Sequence, residues 1–82
     1  MQNFTVYSKD GCPYCRQIVD VLGLSELSYV EYKLGIDFSK EAFYGQFGEG
    51  ATFPQVVLNG DNLGGAQESI KYMQRENICC NI

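Results

Sequence analysis

Histidine is absent from this chain of 82 residues, which removes every imidazole-containing zinc site. No apolar run approaches the ~18–20 residues that a transmembrane helix needs, so no membrane span is expected. The start of the chain, Met1-Gln2-Asn3-Phe4-Thr5, shows no basic region followed by an apolar stretch, so no secretory signal is read there. Positive charge is scarce. Six Lys and Arg face ten Asp and Glu, for a net charge of −4 and a pI near 4.5. That balance argues against a nucleic-acid partner, which usually meets a basic patch. Its plain meaning is solubility. Internal repeats, low-complexity tracts and linkers are missing as well.

What is present is ordinary globular usage, 45% hydrophobic and 20% charged. The length is room for one domain, spanning residues 1–82, with a core of about 3–77 and a short tail at 78–82. A chain this short buries only roughly 60–65% of its unfolded surface, so disulfides or a metal often reinforce such domains. Four cysteines could supply either: Cys12, Cys15, Cys79 and Cys80. The adjacent pair is a poor framework element, because a ring between neighbouring cysteines is strained. It reads as two tail thiols; the sharper alternative is a regulatory or glutathionylated site, which depends on exposure and thiolate character. Without a signal segment, a secreted disulfide scaffold does not fit and a reducing cytoplasm is expected. A four-cysteine metal site joining both ends stays open, although the spacing is unlike a zinc ribbon.

Periodicity orders the elements. Phe4-Thr5-Val6-Tyr7 is β-branched and aromatic, a short strand. From Pro13, the residues Cys15, Ile18, Val19 and Leu22 recur on one helical face, and Gly23 offers a stop. Leu27 to Leu34 alternates as a second strand. Ser39 caps a helix to about Phe47, with Ala42, Phe43 and Phe47 on its apolar side. Pro54 to Leu58 reads as a third strand. Asn59-Gly60-Asp61 is a hairpin signal leading into a fourth strand at Asn62 to Gly64. Ala66 to Asn77 is a last helix, with Ala66, Ile70 and Met73 along one face. The order β-α-β-α-β-β-α predicts an α/β fold. Its first two strands should be parallel with a right-handed crossover, and its hairpin antiparallel.

The chemistry concentrates in Lys9-Asp10-Gly11-Cys12-Pro13-Tyr14-Cys15, which follows a strand and opens a helix. Cysteines at i and i+3 bring both sulfurs to one helix end, where a small disulfide ring can close and reopen. The first sulfur faces unpaired N–H groups and the helix dipole, which favour an anion. That lowers its pKa and makes Cys12 the nucleophile. Cys15 lies further into the helix and suits a resolving role. Lys9 adds positive charge, Asp10 partly opposes it, and Arg16 is placed to help. A thiolate with a pKa somewhat below ambient pH both attacks disulfides and leaves well. Zinc knuckles also use Cys-x-x-Cys, and the strand–motif–helix context separates the two.

On these residues the chain resembles the glutaredoxins. Cys12-Pro13-Tyr14-Cys15 is identical to the common dithiol motif of that family, and Lys9 also matches. Thr52-Phe53-Pro54 is similar to the family's Thr-Val-Pro, whose proline is cis. Gly64-Gly65-Ala66-Gln67-Glu68 is similar to its Gly-Gly-x-(Thr/Ser)-Asp. The similarity runs from Phe4 to about Asn77, and the small size resembles bacterial or viral members. It implies a thioredoxin-like fold with a mixed four-stranded sheet and three helices. It also implies a glutathione-dependent thiol–disulfide oxidoreductase, active as a monomer. Glutathione is then a co-substrate, with no metal expected. Partners would be disulfide-containing proteins, ribonucleotide reductase among them by family analogy, with no nucleic acid and no membrane.

The resemblance assigns Cys12 and Cys15 to catalysis. Glutathione would contact Lys9, Tyr14, Thr52, Phe53, Pro54, Gly65, Gln67 and Glu68. A cis proline presents the N–H and C=O of Phe53 to an extended peptide. Gly65 allows close backbone approach, and the helix start behind it receives a carboxylate. Simpler readings stand beside these: a strand-starting proline at Pro54, a surface β residue at Thr52, a dipole partner at Glu68. Gln67 and Glu68 depart from the family's better-capping residues, and Phe53 adds bulk where the family has valine. Gln46 is a candidate for the glycine carboxylate, with a solvated helix position as its plainer role. The remaining Tyr29, Tyr32, Tyr44 and Tyr72 read as ordinary core or surface aromatics. Two other functions follow the same fold. One is an iron–sulfur carrier, which Pro13 disfavours. The other is a protein reduced by a flavoprotein instead of glutathione, which Gln67 and Glu68 leave open.

Overall fold

Phe4-Thr5-Val6-Tyr7-Ser8 alternates sides as a strand must, and its burial alternates with it: Phe4, Val6 and Ser8 are buried, Thr5 and Tyr7 half-buried. This strand, β1 (Phe4–Ser8), is central. The computed structural model describes residues 3–78. After β1 come α1 (Pro13–Leu24), β2 (Tyr29–Lys33), α2 (Lys40–Phe47), β3 (Gln55–Leu58), β4 (Asp61–Gly64) and α3 (Ala66–Arg75). The sheet order is β2-β1-β3-β4. β1 is parallel to β2, while β3 runs antiparallel to both β1 and β4. This is the mixed four-stranded sheet with three helices expected of a thioredoxin-like chain.

One face of the sheet packs against α1 and α3. Phe4 and Val6 of β1, Ile18 and Leu22 of α1, Val56 and Leu58 of β3, and Ala66 and Met73 of α3 form one buried cluster. Full burial of each large side chain contributes roughly 1.5–3 kcal/mol. The exposed Arg16–Asp20 pair, at 3.6 Å, belongs to a class worth about 0–1 kcal/mol. Apolar packing therefore holds the helices on the sheet. Ser69 joins this face although it is polar, because its hydroxyl donates to the Gly65 carbonyl at 2.7 Å.

The other face is aromatic. Phe43 of α2 is buried, and around it lie Phe38, Tyr44, Phe47 and Phe53, with ring centroids 4.2–5.8 Å from its own. Tyr7 of β1 reaches the same group, 5.4 Å from Phe38 and 5.0 Å from Phe47. Ala42, expected on the apolar side of α2, is exposed. Rings this large fill the space without a methyl beside them. β2 is shorter than the expected Leu27 to Leu34, and its residues Tyr29, Val30 and Tyr32 are exposed because it is an edge strand. Gly23 does not stop α1. The helix runs to Leu24 and ends at Ser25, whose N–H donates to the Val21 carbonyl, while the Glu26 N–H donates to that of Gly23. α3 ends at Arg75, short of Asn77.

Two local devices place the site. Cys12 is the N-cap of α1, with extended backbone (φ −110°, ψ 103°), and Pro13 opens the first turn. Its sulfur accepts the N–H of Cys15 at 3.2 Å, where an oxygen usually serves. At the other end of the chain, Asn59 and Gly60 both have positive φ, 51° and 91°, which matches a hairpin turn of the primed type. Gly64 also has positive φ (97°), and a Cβ there would lie 3.3 Å from Cβ of Glu68. Its N–H donates to Asn62 Oδ1.

Two outcomes follow. Gly64→Ala should lower stability by at least about 1 kcal/mol, read from urea unfolding, because alanine resists that φ; an unchanged midpoint would contradict the turn. Under reducing conditions Cys12→Ala should be about 1 kcal/mol less stable than Cys12→Ser, since serine retains a capping acceptor. Equal stabilities would mean that the sulfur does not cap α1.

Candidate active site

The loop between β1 and α1 carries both cysteines to one end of the sheet. Cys12 is half-buried, while Cys15, one turn into α1, is only 3% exposed. They are joined as a disulfide, with Cα atoms 5.2 Å apart. Cys12 Sγ lies over the first turn of α1 and accepts the Cys15 N–H, a place where N–H groups and the helix dipole favour negative charge. The covered Cys15 is poorly placed to attack an outside molecule and well placed to attack Cys12.

Charges nearby are arranged differently from the expectation. Asp10 does not face Lys9; its carboxylate lies 3.4 Å from Lys33 Nζ. Arg16 pairs with Asp20 along the helix, and both ends are largely in solvent. Lys9 instead places its ammonium over the Phe53 ring, 5.3 Å from the centroid. Spacing along the chain cannot reveal this, because Lys33 and Phe53 arrive from other elements.

A groove of about 180 Å³ runs beside the motif. Tyr14 forms one wall at 54% exposure. Thr52, Phe53 and Pro54 form the floor, and Gly65, Gln67 and Glu68 the far wall. The Phe53–Pro54 peptide is cis. Among the described residues, no hydrogen bond engages the N–H or C=O of Phe53. The start of α3 is open too. Its N-cap is Gly65, which supplies no side-chain acceptor. Gln67 and Glu68 therefore sit in the first turn and not at the capping position. Glu68 folds back toward Gly65, so that a Cβ on Gly65 would lie 2.9 Å from Glu68 Oε1.

The structure thus gathers seven of the eight nominated contacts into one groove, and Lys9 lies outside it. Lys9 lines two others. One holds Cys12, Cys15, Arg16, Glu31 and Lys33; the other holds Lys40, Tyr44, Thr52 and Phe53. Gln46 is exposed on α2 and lines none of the three, whereas Lys40 from the first turn of the same helix does. The sequence reading missed Lys40, whose only signal was its place one residue after the Ser39 cap. It also missed Glu31, which accepts the hydroxyl of buried Ser8 at 2.7 Å beside the cysteines. Cys79 and Cys80 lie outside the described residues.

Comparison with known proteins agrees with this geometry. Residues 4–63 match the glutaredoxin family model. Glutaredoxin-C4 of Arabidopsis thaliana is 33% identical over 70 residues, covering 79% of this chain and 50% of that protein. The hybrid peroxiredoxin hyPrx5 of Haemophilus influenzae is 31% identical over 71 residues, covering 87% of this chain and 29% of that protein. The chain thus spans half or less of the length of these two relatives. Among solved structures, a buckwheat glutaredoxin–glutathione complex superposes with a TM-score of 0.72 at 22% identity, covering 93% of this chain and 71% of that one. The family match over residues 4–63, which takes in the two cysteines at a helix start and the cis proline, establishes that the chain belongs to the glutaredoxin family, whose members are thiol–disulfide oxidoreductases.

Proposed function

We propose that this chain is a glutathione-dependent thiol–disulfide oxidoreductase, reducing protein disulfides and glutathione mixed disulfides through Cys12 and Cys15. The observation that carries the reading is the unengaged peptide edge of Phe53 on the floor of the groove beside the motif. An extended tripeptide can exchange main-chain hydrogen bonds with that edge, as in strand addition. Its γ-glutamyl carboxylate then meets the open first turn of α3, where N–H groups and the helix dipole favour an anion. Glu68 stands by for its ammonium. The glycine end points the opposite way, into the groove that Lys9 and Lys40 share with Thr52 and Phe53. The glutathione complex of the buckwheat protein, on the same fold, supports the ligand class.

The chemistry balances as follows. Cys12 thiolate attacks the glutathionyl sulfur of a mixed disulfide. The Cys12–glutathione bond forms, the substrate's sulfur–sulfur bond breaks, and the departing thiolate takes a proton from water. A second glutathione thiolate attacks the bound glutathionyl sulfur, releasing glutathione disulfide and Cys12 thiolate. On a protein disulfide, Cys12 attacks one sulfur and Cys15, after losing its proton, displaces the protein from Cys12. Two electrons pass to the substrate, the Cys12–Cys15 disulfide remains, and two glutathiones reduce it. Tyr14, exposed beside the thiols, offers its ring face to the ligand.

The test is glutathione-coupled reduction of a small mixed disulfide by wild type, Cys12→Ser and Cys15→Ser, with a flavoprotein-reductase-coupled assay in parallel. Cys12→Ser should lose all activity, and Cys15→Ser should retain turnover of the glutathione mixed disulfide while losing the protein-disulfide route. Turnover with the flavoprotein reductase alone would remove glutathione from the mechanism. Loss of both routes in Cys15→Ser would overturn the assignment of roles.

A further inference from the structure

Phe53 stands where the resembling family has valine, and its ring does more than add bulk. It stacks on buried Phe43, with centroids 4.2 Å apart and planes 11° from parallel. Phe38 lies nearly parallel to both, 5.8 Å from Phe43 and 6.2 Å from Phe53. Edge-on contacts from Tyr7 to Phe38 and Phe47 fix the rest of the group. Phe53 is thus a ring that cannot swing freely. Over it sits the Lys9 ammonium, 5.3 Å from the centroid. A lysine side chain on a loop ordinarily samples many rotamers. Attraction to the ring's negative face selects the few that hold the charge there.

The place is significant. Lys9, Phe53 and Thr52 line one groove together with Lys40, and Phe53 and Thr52 also line the groove that ends at Gly65 and Glu68. A ligand crossing Phe53 in extended form reaches the ammonium with its far end. We infer that the Phe53 ring is a positioning residue: it holds Lys9 as the recognition group for the glycine carboxylate of glutathione, so that its π face governs selectivity for that carboxylate. The inference rests on the glutathione reading and adds a side-chain role to a residue otherwise used through its backbone. The same ring stacks on Phe43, so the packing that orders α2 also orders the cation.

The experiment compares two mixed disulfides on one carrier peptide, glutathione and γ-glutamylcysteine, the second lacking the glycine carboxylate. The quantity is the ratio of their kcat/KM values. Wild type should favour the glutathione form. Phe53→Leu, which retains apolar bulk without a π face, should cut that ratio about two- to fivefold, the size expected for an exposed cation–π contact. Phe53→Tyr should preserve it. Lys9→Gln should cut it at least as far, and the Phe53→Leu/Lys9→Gln pair no further than Lys9→Gln alone.

A purely structural role of Phe53 would slow both substrates equally, and that result would overturn the inference; so would additive losses in the double variant. A second readout needs no ligand: the Lys9 side-chain proton resonances should be displaced by the ring in wild type and return to ordinary positions in Phe53→Leu. Undisplaced resonances in wild type would refute the contact itself. Failure of the glutathione reading is recognisable separately, as no turnover of the glutathione form by the wild type before any variant is made.

Discussion

Everything at this site depends on how the first turn of α1 satisfies its N–H groups. A helix start leaves donors without intrahelical partners. Here one of them, the Cys15 N–H, finds a sulfur. The cap of α1 and one sulfur of the redox-active pair are therefore the same atom, and the fold cannot place one without the other. The periodicity of α1 then puts Cys15 on the buried face with Ile18 and Leu22. The spacing of three residues makes one sulfur accessible and the other covered. That difference in exposure between the two sulfurs follows from helix geometry alone.

The two faces of the sheet serve different ends. Aliphatic side chains of α1 and α3 close one face and give the helices a fixed distance from β1 and β3. On the other face, α2 contributes few apolar residues, and the aromatic group around Phe43 does the packing. Phe53 belongs to that group while its backbone floors the groove. The groove and the second core are thus joined at one residue. Lys9, on the loop before the motif, is drawn to the same point.

Charge plays a smaller part than the sequence implied. The Asp10–Lys33 and Arg16–Asp20 pairs are exposed and of a class that contributes little. Their effect is on direction. With Asp10 paired to Lys33, the Lys9 ammonium meets no carboxylate among the described residues and lies over the Phe53 ring instead. Glu68 sits differently from an ordinary first-turn acid. It leans over Gly65, where the absence of a side chain makes room.

The order of elements, the cap at Ser39 and the hairpin at Asn59-Gly60 were legible in the sequence, because each depends on a few neighbouring residues. So were the pairing of Cys12 with Cys15 and the residues that line the groove from Thr52 to Glu68, which lie in three short motifs. Helix and strand ends were less legible: β2 shortens at the sheet edge, where pairing with β1 sets its length, and α1 runs past Gly23 to a cap made of local carbonyls. The partners of Lys9, Asp10 and Glu31 were not legible at all. They are Phe53, Lys33 and Ser8, separated by 44, 23 and 23 positions in the chain. Local rules fix which residues can do the chemistry. Which charge meets which ring, and that Lys40 of α2 reaches the groove, is decided only when the sheet brings distant strands and loops within a few ångströms.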